Sequence, residues 1–410
     1  MYFPKKSILI PKKRDIMILK KIELKNFRNY EHFSSRFYKG INIIYGDNAQ
    51  GKTNLLESIY VLGITKSHRS FIDNNLIKEG KNKSFISGII NRGSLDIKLD
   101  ISIDNYRKEL SIDNTKIKKV SDYISNMNII IFYPDDLELL KGSPQIRRKY
   151  LNLELSQLYS NYFILINDYN KLLKIRNEYL KKLNNNVFVD MNYFEILTNY
   201  LIDKAILITK MRYKFIEKIN AYCSNIYNDI MNLENFSIEY VPSIIIDYKN
   251  DDKSKENLLK FYKENLDYDI KMNSTFYGPH KDDFNFLLNG LNLKMFGSQG
   301  QQRIAVLCLK LSEIEIFKRY KDSTPILLLD DVFSELSDDK KNNLLKYISK
   351  DIQTIITTTE LSNLNEKLIK KSKLFKIDSG KLIKIKEVKE DEWRTLWCFG
   401  YSSIGRVRSS

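Results

Sequence analysis

Between residues 41 and 63 the chain reads INIIYGDNAQGKTNLLESIYVLG, and no other stretch restricts its fold as tightly. The apolar run INIIY has the composition of a buried strand, and TNLLESIYVLG that of a helix. Joining them are Gly46, four residues, then Gly51, Lys52 and Thr53, which complete the pattern GxxxxGK[ST] in its required strand-to-helix setting. The glycines at either end of Gly46, Asp47, Asn48, Ala49, Gln50 and Gly51 let backbone N–H groups wrap a β-phosphate, and the helix N-terminus adds positive potential. Lys52 is then placed to bridge β- and γ-phosphates, and the Thr53 hydroxyl to reach Mg2+. A merely tight turn is the bland alternative.

A second element matches the first. Ile326, Leu327, Leu328 and Leu329 form a strand apolar on both faces, and Asp330 and Asp331 emerge at its C-terminal end, where parallel sheets place their ligands. Asp330 is the expected Mg2+ partner and Asp331 the residue that polarises an attacking water; a solvated strand end is the alternative for each. Upstream, GSQGQQ at 297–302 directly precedes a helix over 301–320 that carries Ile304, Leu307, Leu311, Ile314 and Phe317 on one face. Ser298, Gln299, Gly300 and Gln301 thus form a second anion site at a helix N-terminus, although alone they read equally as a flexible loop. Their order, one helix ahead of Asp330, resembles the signature motif and Walker B strand of ABC-type ATPases.

The rest of the chain sorts around these motifs. Ile18, Ile22 and Leu24 have strand spacing, and residues 84–104 and 108–118 alternate as a small antiparallel sheet. From about Gln145 to Leu233 the pattern is helical, with Leu151, Leu155, Leu158, Tyr162 and Leu165 at three- and four-residue spacing, as in a helical subdomain packing on itself. Strands return near 283–295, then PILLLDD, a helix from Asp338, TIITT and a closing hairpin, KLFKIDSGKLIKI. The economical reading is an α/β head with a mixed sheet, interrupted by a helical arm. Its expected limits are 17–134 and 241–387 for the two halves of the head and 135–240 for the arm. Residues 1–16 read as an extension or misassigned start, and 388–410, which hold both Trp393 and Trp397, as an atypical tail.

Lys and Arg number 67 against 51 Asp and Glu, a formal charge of +16, so a polyanionic partner fits; codon drift toward Lys is the competing explanation. Cys223, Cys308 and Cys398 stand far apart without a CxxC, which supports neither a zinc knuckle nor a disulfide framework. No stretch approaches the ~18 to 20 apolar residues of a membrane span, so no membrane partner and a cytoplasmic location are expected.

Together, GDNAQGKTN, GSQGQQR and LLLDDVFSELS resemble the RecF family of DNA replication and repair proteins, short-armed relatives of SMC-type ATPases. LKNFRNY (24–30), SHR (67–69), FYPDDLELLKGSPQIRRKYLN (132–152), GPHKDDF (278–284) and ITTT (356–359) extend the likeness over residues 17 to about 387. The resemblance implies a head-to-tail ATP sandwich: Gly46 to Thr53 and Asp330 of one subunit hold Mg-ATP, and Ser298 to Gln301 of a second close over it. Ser334, Glu335, Leu336 and Ser337 resemble the D-loop crossing that interface, and Arg28 is implied near the nucleotide base, or as an exposed loop arginine. The family role is an ATP-dependent homodimer on duplex DNA near gaps or single- to double-strand junctions, acting with RecR and RecO in RecA loading.

Departures from the pattern sharpen the expectation. Asp331 stands where ABC ATPases usually carry Glu, one methylene longer, which implies slow hydrolysis. No switch histidine is present, leaving Thr357, Thr358 or Thr359; no Gln lies between Gln50 and Gln145, leaving Asp135 or Asp136 for the Q-loop or as a helix cap. His68 with Arg69 and His280 with Lys281 are expected in structural or DNA-proximal polar roles. Arg147, Arg148 and Lys149 read as phosphate contacts or a solvated helix face. A transporter ATPase subunit shares the three nucleotide motifs, but it predicts the missing glutamine and histidine. A GTPase predicts an NKxD motif that the chain lacks.

Overall fold

The structure, a computed structural model, describes residues 15–388 apart from 71, 233–234, 322, 336–337 and 349–350. The extension expected over 1–16 and the tail over 388–410 lie almost wholly outside the described residues. In chain order, β1 (Asp15–Phe27), β2 (Tyr30–Arg36) and β3 (Ile41–Tyr45) lead into α1 (Lys52–Ile64). A meander follows: β4 (Lys83–Arg92), β5 (Leu95–Asp104), β6 (Lys108–Ile112) and β7 (Thr115–Ile117), then α2 (Val120–Ile124) and β8 (Ile129–Phe132). Helices α3 (Glu138–Lys141), α4 (Pro144–Leu158), α5 (Ser160–Asn184) and α6 (Met191–Met231) fill the middle. Next come β9 (Phe236–Val241), α7 (Asp251–Glu264), α8 (Leu266–Lys271), β10 (Asp283–Leu288), β11 (Leu291–Asn292), α9 (Leu293–Phe296) and α10 (Gln299–Tyr320). β12 (Ser323–Thr324), β13 (Ile326–Asp330), α11 (Asp338–Tyr347), β14 (Thr354–Thr358), α12 (Glu366–Lys370) and the hairpin β15 (Lys373–Asp378)–β16 (Lys381–Lys386) close the chain.

The central sheet has the order β16-β15-β3-β14-β13-β8, parallel throughout except for the final hairpin. Because side chains alternate, its apolar runs supply two cores at once. Ile44, Ile129, Leu328, Ile355 and Phe375 face α1 and the antiparallel sheet, while Ile43, Ile130, Leu329, Ile356 and Leu374 face the helices α4, α6 and α10. The antiparallel sheet runs β2-β1-β4-β5-β6-β7. In β1 a bulge between Leu19 and Lys21 reverses the alternation, so Met17 and Leu19 are buried with Ile22 and Leu24. Ile18, expected on that face, is only half-buried.

Two expectations change in the helices. α10 is buried on nearly every side, including Lys310, Ser312 and Glu313, and not along one stripe. The middle helices do not pack only on themselves, because Cys223 and Ile226 of α6 share a continuous core with Leu307 and Cys308 of α10. The segment GPHKDDF welds this junction. Arg212 of α6 donates to Asp282 Oδ2 at 2.8 Å and to the Pro279 carbonyl at 2.5 Å, and Ser243 N donates to Asp282 Oδ1 at 2.8 Å. Arg212 and Asp282 are both fully buried, a pairing tolerable only because each is satisfied several times.

Candidate functional site

The phosphate loop has a backbone that only glycine fits at two points. Gly46 has φ 150°, and a Cβ there would lie 2.2 Å from the Ile377 carbonyl oxygen of β15; at Gly51, φ 110°, it would lie 2.6 Å from Asn29 Nδ2. The loop is braced from both sides. The Tyr30 hydroxyl donates to Gly51 O at 2.9 Å and Asn29 Nδ2 to Gln50 O at 3.3 Å. Across the loop, Ser379 N donates to Gln50 Oε1 at 2.6 Å and Gly380 N to Gln50 O at 2.9 Å. Asp47, Asn48 and Ala49 stay exposed at the rim. Lys52 bends over the loop and donates to the carbonyls of Gly46 and Asp47, both at 2.6 Å. Burial lowers the pKa of its ammonium, against the pull of Asp331, Asp330 and Asp47.

Opposite Lys52, the carboxylate of Asp330 is 5% exposed and accepts from the Thr53 hydroxyl at 3.1 Å and the Thr357 hydroxyl at 2.6 Å, both on Oδ1. Burial raises its pKa and the two hydroxyls oppose the rise. A hydroxyl and a desolvated carboxylate at the end of a phosphate loop are the hard oxygen donors that suit Mg2+. Asp331 turns into the left-handed region, φ 51°, and its N–H donates to Thr357 Oγ1 at 3.0 Å. Thr357 therefore touches both acids, which singles it out among the three threonines. Asp330 and Asp331 line a cleft with Phe132, Pro134, Arg303 and Val332.

Beside the loop, Arg28 at φ 50° donates to Glu57 of α1 from Nε at 2.9 Å and from Nη2 at 2.8 Å. Arg69 Nη1 donates to Asn54 Oδ1 at 2.8 Å, and Asn54 Nδ2 to Asn29 Oδ1 at 2.9 Å. Glu57, Asn54 and Ser379 went unrecognised in the sequence; only the nearby FRNY and SHR segments marked their neighbourhood.

At the other motif, Ser298 caps α10 with a reciprocal pair: its hydroxyl accepts from Gln301 N at 3.3 Å, and its N–H donates to Gln301 Oε1 at 2.8 Å. Ser298, Gln299 and Gly300 are exposed, beside Met295 and Phe296, which are more than two-thirds exposed. Ser334 donates to the Asp331 carbonyl at 2.7 Å, and Glu335 ends the same short turn; Leu336 and Ser337 lie outside the described residues.

Several expected site residues have other duties. Arg147 is not a phosphate contact: it is 6% exposed, pairs with Asp283 at 2.5 and 2.9 Å, and donates to the carbonyls of Leu139 and Gly142. Arg148 is half-buried and donates to the Asp282 carbonyl at 2.9 Å. Asp136 caps the turn after β8, accepting from Tyr133 N at 3.0 Å, while Asp135 is exposed. His280 bridges Tyr169 and the Thr275 carbonyl, and His68 packs between Tyr60 and Tyr133. Burial lowers both imidazoles to about 4, so each is neutral. Among the described residues, no cluster of three or more metal-ligating side chains occurs, and no helix is long and apolar enough to cross a membrane.

The family model described as RecF/RecN/SMC N terminal domain matches residues 18–381. The DNA replication and repair protein RecF of Clostridium novyi is 43% identical over 366 residues, covering 89% of this chain and 99% of the relative. RecF of Clostridium botulinum is 41% identical over 374 residues, covering 90% of this chain and 100% of the relative. The solved recombination mediator protein RecF-ATP of the RecFOR pathway superposes with a TM-score of 0.84 at 34% identity, covering 91% of this chain and 99% of that one. With its phosphate loop, paired aspartates and capped signature helix in this arrangement, the chain belongs to the RecF family of DNA replication and repair proteins, on an SMC-like ABC-type ATPase head.

Proposed function

We propose that the chain is an ATP-gated clamp on duplex DNA. Gly46 to Thr53 and Asp330 of one copy hold Mg-ATP, Arg28 lies beside the base, and Ser298 to Gln301 of a second copy close over the γ-phosphate. Ser334 to Ser337 cross the interface between the copies. The observation that carries this reading is the convergence of Lys52, Thr53, Asp330 and Thr357 in one head, while the Ser298 end of α10 faces solvent.

The chemistry follows from these groups. Lys52 exchanges two loop carbonyls for β- and γ-phosphate oxygens, at little net cost because both are oxygen acceptors. Thr53 and Asp330 hold the metal, and Mg2+ when bound offsets charge on the transferring phosphoryl group. Asp331 orients and polarises the attacking water from a side chain one methylene shorter than glutamate, which makes hydrolysis slow and the nucleotide a timer for release. The basic surface grips the DNA backbone without reading bases. Likeness to a recombination mediator of the RecFOR pathway supports RecR and RecO as partners, and action at gaps or strand junctions in RecA loading.

The test is duplex binding by Asp331→Asn with and without Mg-ATP at several salt concentrations. Trapped ATP is expected to strengthen binding, and salt to weaken it steeply. Binding indifferent to ATP sinks the clamp.

A further inference from the structure

We infer that Glu57 is a positioning residue for the nucleotide: its buried carboxylate fixes the guanidiniums of Arg28 and Arg69 beside the phosphate loop, with their outer N–H groups turned to a bound nucleoside triphosphate. The inference rests on the proposed ATP site and adds a residue to it. Glu57 is fully buried on α1, yet it is not a helix-surface ion pair of convenience. Arg28 grips it at both oxygens, Ser67 Oγ donates to Oε1 at 2.5 Å, and Arg69 Nη1 lies 3.5 Å from Oε2. Ser67 Oγ in turn accepts from the N–H groups of Arg69 and Ser70, so the loop that carries Arg69 hangs from the same carboxylate.

The gradient of exposure has a direction. The acid is 0% exposed, Arg28 21% and Arg69 42%, so the acid faces inward and the cations face outward. Both cations adjoin the loop: Arg28 precedes Asn29, which holds Gln50, and Arg69 holds Asn54, which follows Thr53. One carboxylate shared by two arginines leaves a net positive charge at that rim. An isolated buried carboxylate is costly, and here two charged partners and a hydroxyl offset that cost.

Glu57→Gln separates positioning from charge balance, because the substitution adds one positive unit beside the nucleotide site while removing the anchor. If the acid only balances charge, ATP binds tighter to the variant. If it positions the guanidiniums, ATP binds more weakly despite the added charge.

The measurement is titration of the full chain with a fluorescent ATP analogue and steady-state ATPase kinetics, with thermal melts as a check on folding. The expected result is a rise in KM for ATP of about tenfold with kcat within about twofold, the signature of lost ground-state binding. Arg28→Met is expected to raise KM similarly, and the double variant to add little, since the pair acts as a unit. If Glu57→Gln does not fold, Glu57→Asp carries the same test: it keeps the charge and shortens the anchor by one methylene, so weaker ATP binding is expected if the acid positions the guanidiniums and unchanged binding if it only balances charge. Unchanged or tighter binding by these variants overturns the inference and leaves the ATP site standing. A parent chain that binds no ATP overturns both.

Discussion

Thr357 holds two neighbouring acids with one hydroxyl, donating to Asp330 and accepting from the Asp331 amide. Valine has nearly its shape and neither bond, so Thr357→Val frees the Asp330 carboxylate, the proposed metal ligand, and the strained backbone of Asp331 together. Loss of a partner that orients a metal ligand typically costs about 10–100-fold. The expected outcome is a fall of that order in ATP turnover, with a higher Mg2+ requirement measured by titrating Mg2+ at fixed ATP. The phosphate loop was legible because its chemistry is contiguous, from Gly46 to Thr53. Thr357 was not, because three adjacent threonines look alike until strand register places one against Asp330.

Among the elements, α4, α10 and the turn after β8 meet at a buried cluster of charge. Lys310 Nζ lies 3.8 Å from Glu313 and 3.9 Å from Glu154, and the Tyr150 hydroxyl donates to Glu313 at 2.6 Å. Burial raises the pKa of Glu313 and Glu154, and pushes Asp136 up to about 6, each against the pull of Lys310. Burial also opposes the charge of Lys310, but the three carboxylates outweigh it and hold its pKa above the usual value. Burial also lifts Tyr60, Tyr133 and Tyr150, which stay neutral. Raised carboxyls keep protons in the folded state that the unfolded chain has released, so their contribution to stability falls as pH rises from about 4.5 through neutrality. His68 and His280 work the other way, since their lowered values make the folded state bind fewer protons between about 4 and 6.5. The comparison that isolates the cluster is Glu154→Gln against the parent: the urea midpoint of the variant should gain on the parent between pH 5 and 8. The apolar periodicity of α10 was readable, but its polar residues implied a wet face; only packing against β8 and α4 shows that they point into the core. The run IIIF in β8 has the same apolar composition as ILLL in β13, but no phosphate or metal motif adjoins it to mark it as a strand of the same sheet.

For the molecule as a whole, dimerisation is the step on which the proposed clamp depends. Ser298 is exposed, and its arginine variant loses a cap worth about 1 kcal/mol, within the tolerance of a 22-residue helix buried along its length. Ser298→Arg also places bulk and charge where a second copy is proposed to meet the γ-phosphate. Light scattering with Mg-ATP, in the Asp331→Asn background, should find a dimer for the parent and a monomer for Ser298→Arg, with thermal melting lowered by no more than about 2–4 °C. A dimer in both locates the interface elsewhere. The sequence showed strand and helix alternating at both ends of the chain. It did not show that β3, early in the chain, pairs on either side with β14 and β15 from its far end.

That last pairing bears on how the protein is made. The phosphate loop emerges from the ribosome early, but the strands flanking β3 and the turn at Ser379 and Gly380 that grips Gln50 are synthesised more than 300 residues later. Contacts so distant in sequence form late, after the loop between them has closed. A nascent or truncated chain lacking residues 373–380 therefore carries the motif without the brace, and nucleotide binding is expected only once those residues have joined β3 and Gln50.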